Sequence, residues 1–137
     1  MKNSIIGRKS KDFALNVINT YKFLYEEKHE FVMSKQLLRC GTSIGANVAE
    51  AINAQSEADF ISKMYISLKE AGETSYWLDL LFESKYIEKE TYNILSADCN
   101  EIIRILRSIT KTMKDKQKSK KDISNQLSNN IKTTPNS

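Results

Sequence analysis

Proline occurs once in this 137-residue chain, at Pro135, and glycine only four times. Inside a helix proline costs about 3 kcal/mol and glycine about 1 kcal/mol relative to alanine. With so few interruptions, the sequence predicts an all-α fold, and its length argues for a single domain. Hydrophobic residues at 40% and charged residues at 28% are ordinary for a globular chain. No apolar run approaches the ~20 residues that cross a bilayer. The opening MKNSIIGRKS has no apolar stretch of the secretory kind. A cytoplasmic location without a membrane partner is therefore expected, with Cys40 and Cys99 as reduced thiols.

The segment Leu37 to Ala54, LLRCGTSIGANVAEAINA, carries only two charges, Arg39 and Glu50. Leu37, Ile44, Val48, Ala51 and Ile52 recur at helical spacing. Gly41, Gly45 and Ala49 form a row of small residues, which suggests that another backbone comes close. Arg39, Ser43, Asn47 and Glu50 lie nearly opposite the large apolar side chains. A helix with one wet face normally carries more charge, so burial on a second side, by another copy of the chain, is expected. The alternative is a central helix whose polar quartet is simply solvated.

Four helices are predicted. The first runs from Ser10, an N-cap type, to Glu27, and the second from Phe31 or Ser34 to Gln55. The third opens at Ser56, with Asp59 three residues on as in a capping box, and extends to Ser84. Its stripe is Ile61, Met64, Leu68, Ala71, Ser75, Leu78 and Phe82, which puts Ile66 and Trp77 on the far side with Glu70 and Glu73. Trp77 then has three readings: a ring lying along its own helix, a subunit contact, or a base-stacking platform. The fourth helix, Glu88 to Met113, carries a 3-4 seam of Tyr92, Leu95, Cys99, Ile102, Leu106, Ile109 and Met113. These elements imply an antiparallel up-down-up-down four-helix bundle over residues 1–114. Residues 115–137 are polar and lysine-rich, and disorder or fraying is expected, with Ile123, Leu127 and Ile131 allowing a short amphipathic helix on contact.

The net charge is +4, but residues 111–137 hold seven lysines against two aspartates. Up-down topology gathers Arg8, Lys9, Lys11, Arg107, Lys111, Lys114 and the tail at one end, with Glu57 and Asp59. Glu26, Glu27, Glu30, Glu83, Glu88 and Glu90 gather at the other. Copies standing side by side would turn the basic end into a rim suited to phosphate backbones. Terminal lysines that only maintain solubility are the plainer account.

The pattern Arg39-x-x-x-Ser43-Ile44-x-x-Asn47-x-Ala49-Glu50, with Asp59-Phe60, Leu68-Lys69-Glu70-Ala71 and Glu73-Thr74-x-Tyr76-Trp77-Leu78, resembles the bacterial four helix bundle protein family. That family includes proteins encoded in intervening sequences of 23S ribosomal RNA genes, and the accessory variability proteins of diversity-generating retroelements are relatives. The resemblance covers roughly Phe13 to Met113. It implies a homopentamer and no established enzymatic activity. For the retroelement relatives it implies binding of nucleic acid and of a reverse transcriptase. Gly72 stands where an Arg is common in the family, which weakens any nucleic-acid surface carried over to the third helix.

Three functions are weighed. The first is a nucleic-acid-binding module, or scaffold for a nucleic-acid enzyme, acting on RNA or DNA through Arg8, Lys9, Lys11, Arg104, Arg107, Lys111, Lys114 and the tail. Its subunit interface would use Arg39, Ser43, Asn47, Glu50, Ile66, Glu70, Glu73 and Trp77. The second is a protein-protein adaptor using the outer surface of the second and third helices. The third is an enzyme, which the sequence disfavours. Di-iron bundles need inward Glu-x-x-His pairs, and the only histidine, His29, falls in a connection. No metal or organic cofactor is expected.

Overall fold

The computed structural model describes residues 2–133, folded as four helices. They are α1 (Lys2–Glu26), α2 (Met33–Ile52), α3 (Glu57–Glu83) and α4 (Lys89–Thr133). Each helix packs against its neighbours in the order α1, α2, α3, α4 and back to α1. The pairings run in opposite directions. Gly7, Ser10 and Val17 of α1 meet Ile52, Gly45 and Gly41 of α2. Arg39, Ile44 and Glu50 of α2 meet Glu73, Ser67 and Lys63 of α3. Ala71 and Asp79 of α3 meet Cys99 and Tyr92 of α4. The arrangement is the up-down-up-down bundle that the helical periodicity implies.

The core is one continuous cluster contributed by all four helices, including Phe13, Leu24, Leu37, Ile44, Met64, Leu78, Ile102 and Leu106. The glycines of α2 are explained from within the chain. A Cβ at Gly41 would lie 2.8 Å from Val17 Cγ1, and one at Gly45 would lie 3.3 Å from the carbonyl oxygen of Ser10. The backbone that approaches α2 there is that of α1.

Several helix ends differ from the sequence expectation. α1 begins at Lys2, not Ser10, because Ile6 sits seven residues before Phe13 and is fully buried with it. Ser10 is buried mid-helix and its hydroxyl donates to the Gly7 carbonyl. Ser34 does not cap α2. Glu30 caps it by accepting the backbone N–H groups of Val32, Met33 and Ser34 at 3.1, 3.0 and 2.6 Å. The chain reaches that cap through His29, whose φ of 52° lies in the left-handed region. Ser56 caps α3 as expected, its Oγ accepting the Asp59 N–H at 3.1 Å.

The largest departure is at the far end. α4 does not stop at Met113 but continues as helix to Thr133, with residues 114–131 exposed. Its base is held by Lys116 and Lys120, whose ammonium groups lie 3.3 and 3.1 Å from Glu57 at the start of α3. Pro135 and the last residues, included in the expected disordered tail, lie outside the described residues.

Candidate nucleic-acid interface

Along α4, Arg104, Arg107, Lys111, Lys114, Lys118 and Lys121 are separated by 3, 4, 3, 4 and 3 residues. At ~100° per residue this spacing keeps six cations on one face of the helix. The ridge is roughly 26 Å long at 1.5 Å per residue. All six side chains are exposed, and among the described residues none has an ion-pair partner. The face is turned away from α1, because Glu101, which points at α1, lies ~120° around the helix from Arg107. Tyr92 stacks on Phe82 of α3 with ring centroids 4.4 Å apart and marks the α3 side. The ridge leans toward that side. By the antiparallel register Tyr65 of α3 stands near the level of Arg107, 42% exposed.

The structure divides the expected cations into separate places. Arg104, Arg107, Lys111 and Lys114 belong to the ridge. Lys9 lies in the α1–α4 seam, with its Nζ 3.0 Å from Glu101 Oε1, so its charge is already matched. Lys11 lines an apolar groove between α1 and α2 with Gly7, Ala14, Gly45 and Ala49. Arg8 is exposed on the outer side of α1. Lys118 and Lys121 were absorbed into the expected disordered tail, although the 3-4 spacing from Arg104 already runs through them.

The residues considered for a subunit interface form a band across α2 and α3 that is largely satisfied within the chain. Arg39 reaches Glu73 at 2.7 Å and Glu70 at 3.4 Å. Glu50 pairs with Lys63 at 3.0 Å. The Ser43 hydroxyl donates to the Arg39 carbonyl, and the Asn47 amide donates to the Ser43 carbonyl. The Arg39 hydrogen bond and charge hold the Glu73 carboxyl below its ordinary range. Ile66 is exposed, as expected.

Trp77 is not outward. It packs against the core cluster, with Tyr76 standing edge-on to it at 5.3 Å. The buried line of α3 is Ile61, Met64, Ser67, Ala71, Thr74, Leu78 and Leu81. Ser67 and Thr74 are buried because their hydroxyls donate to the carbonyls of Ile44 and Glu70. With Ser67, Thr74 and Leu81 in place of Leu68, Ser75 and Phe82, the core direction turns by ~45° from the expected stripe, which moves Trp77 from the far side to the flank.

His29 is exposed in the α1–α2 connection. Cys40 and Cys99 are free and buried. Burial pushes the Cys99 thiol up to about 12 and the Cys40 thiol up as well. Among the described residues no group of three or more His, Cys, Asp or Glu side chains could hold a metal ion. No helix of the described residues is long and apolar enough to cross a membrane.

No curated protein matches this sequence significantly. A crystal structure of a protein of unknown function from the S23 ribosomal protein family of Bacteroides thetaiotaomicron VPI-5482 is similar, with a TM-score of 0.80 and 55% sequence identity. The similarity covers 81% of this chain and 99% of that one. The sequence model of the 23S rRNA-intervening sequence protein family matches residues 2–108, the four-helix bundle nearly in full, and the chain belongs to that family.

Proposed function

We propose that this protein is a non-enzymatic, self-associating bundle of the cytoplasm that binds nucleic acid, or scaffolds a nucleic-acid enzyme, through a basic rim. A homopentameric ring is the assembly its family resemblance suggests, and a reverse transcriptase is one enzyme it could scaffold. The observation that carries the reading is the ridge from Arg104 to Lys121, six exposed cations with no ion-pair partner among the described residues, although Asp115 and Asp122 stand beside Lys118. A row of cations at roughly 5 Å intervals along a rigid helix suits a phosphate backbone, which is read by charge and not by base identity. The exposed ring of Tyr65, near the level of Arg107 by the antiparallel register, would give an unpaired base a surface on which to stack.

The adaptor reading keeps one supporting observation. Ala46 and Ala49 leave an exposed patch of small side chains on α2. Its other motive is weaker, because Trp77 serves the chain's own core.

A gel-shift series with single-stranded RNA and DNA, from low to physiological salt, tests the proposal. Affinity should fall steeply with salt. Binding that is absent at low salt, or indifferent to salt, rules it out. Sedimentation of the same preparation tests self-association.

A further inference from the structure

The start of α1, the α2–α3 connection and the exit of α4 meet at one end of the bundle around a pocket of about 490 Å³. Pockets of roughly 300–1,000 Å³ take ligands of drug size. The wall is mostly apolar and includes Phe60, Ile109 and Met113. The side-chain amides of Asn3 on α1 and Gln55 in the connection also line it. Among the described residues neither amide has a hydrogen-bond partner. Of the described residues on the wall, only Glu57 ionises.

The charge at Glu57 is not that of a lone acid. The ammonium groups of Lys116 and Lys120 lie 3.3 and 3.1 Å from its carboxylate. Two cations share one anion, so one positive charge is left over at that side of the pocket. An ammonium has three donors, so both lysines keep donors for a second anion. The family match ends at residue 108. Met113, Lys116 and Lys120 therefore come from the part of α4 that the family model does not describe, and they complete a pocket begun by the bundle.

We infer that this pocket binds one nucleotide, with its base against Phe60, Ile109 and Met113 and its phosphate at Lys116 and Lys120. The left-over positive charge turns away a cation. Inorganic phosphate would use the lysines and leave the apolar wall uncovered. An acyl chain with an anionic head would suit the wall and the lysines, but it would cover both amides without pairing them, which costs affinity. A base meets all three features. It is a flat ring that stacks on an aromatic side chain, and its edge carries donors and acceptors. A carboxamide has both and pairs with such an edge. The ridge from Arg104 to Lys121 lies on roughly the opposite face of α4, so the inference does not depend on it. The same unit comes free or as an unpaired member of a single strand, and the test separates the two.

Titration of the full chain with adenosine monophosphate at low salt provides that test. Binding should saturate at one nucleotide per chain. Ribose phosphate, which lacks the base, should bind about tenfold more weakly. Gln55 is exposed in a connection, so Gln55→Ala should keep the fold. It should weaken the nucleotide by about three- to tenfold and leave ribose phosphate unchanged. Lys120→Ala should weaken both ligands. Failure to bind the nucleotide, equal affinity for the two ligands, or a nucleotide affinity untouched by Gln55→Ala overturns the inference. Arg107→Ala separates it from the ridge. A nucleotide affinity that falls with Arg107→Ala and not with Lys120→Ala overturns the pocket. The full pattern in a chain that shifts no RNA or DNA upholds the pocket and removes the proposed function. Where the pattern holds, a short single strand that displaces the nucleotide marks the strand as its source, and one that does not marks the free nucleotide.

Discussion

The ammonium of Lys120 lies 3.1 Å from both carboxylate oxygens of Glu57, across 63 positions of sequence. With Lys116 it fixes the base of the α4 extension to the first turn of α3, where a carboxylate also suits the helix dipole. Hydrogen bonds from Lys120 and Lys116 hold the Glu57 carboxyl below its usual range. A depressed folded-state pKa means that the latch is closed at neutral pH and opens as pH falls through that value. Exposed pairs add little to global stability. Glu57→Gln should therefore leave the Tm nearly unchanged while releasing two lysines. Nucleic-acid affinity at low salt should rise, and the salt dependence should steepen by up to about two phosphate contacts. Titration of the variant beside the parent protein checks both.

Glu30 links the α1–α2 connection to the start of α2. Burial raises its pKa, but the backbone donors of Ser34, Met33 and Val32 outweigh that effect and hold the carboxyl below its ordinary range. Losing an N-cap side chain costs about 1 kcal/mol, so Glu30→Ala should destabilise the protein by about that amount. The stability gap between the parent and Glu30→Gln should be full at neutral pH. It should close as pH falls through the depressed folded-state pKa, because the carboxylate is then protonated in the parent as well. Urea unfolding at several pH values measures the gap.

Two glycines should respond in opposite directions. At Gly41 a new Cβ would meet both Val17 methyl groups, at 2.8 and 2.9 Å, and Val17 is fully buried. Overpacking of this kind costs about 1–3 kcal/mol, more than the gain of about 1 kcal/mol from replacing a helical glycine. Gly41→Ala should lower stability. Gly72 has nothing within 4 Å of a built Cβ, so Gly72→Ala should raise stability by up to about 1 kcal/mol. Thermal melts of the pair decide it.

Sequence legibility followed the size and number of the contacts involved. The third helix start was readable because Ser56 and Asp59 cap it locally. The α1 start was not, because Ser10 has the chemistry of a cap and only the tertiary burial of Ile6 carries the helix past it. The cap of α2 was hidden because Glu30 does the work from outside the helix, through three backbone bonds that no short motif announces. Trp77 was misplaced because Ser67 and Thr74 are polar in the sequence yet core in the fold. The ridge was half visible. Arg104 to Lys114 fell inside the expected helix, while Lys118 and Lys121 fell in a segment whose composition reads as disordered.

Cys40 and Cys99 lie in the α2 and α4 faces of the core, and burial raises both thiols. The thiolate is the reactive form. Native protein should react with an aromatic disulfide reagent orders of magnitude more slowly than denatured protein, and both thiols should appear together on unfolding. Rapid labelling of one thiol in native buffer would show that the bundle opens locally around it.

The ridge makes the sharpest demand on the proposed function, because its members lie on both sides of the bundle's end. If nucleic acid follows α4, Lys118→Ala and Lys121→Ala should weaken binding about as much as Arg104→Ala and Arg107→Ala. Each should reduce the salt slope by about 1. Lys9→Ala should change it little, because Glu101 already neutralises Lys9. All five changes are at the surface and away from the core, so each should move stability by no more than about 0.5 kcal/mol. Loss of affinity would then report contact and not unfolding. A large effect at Lys9 with none at Lys118 would move the binding surface from α4 to α1 and detach the extension from nucleic acid altogether.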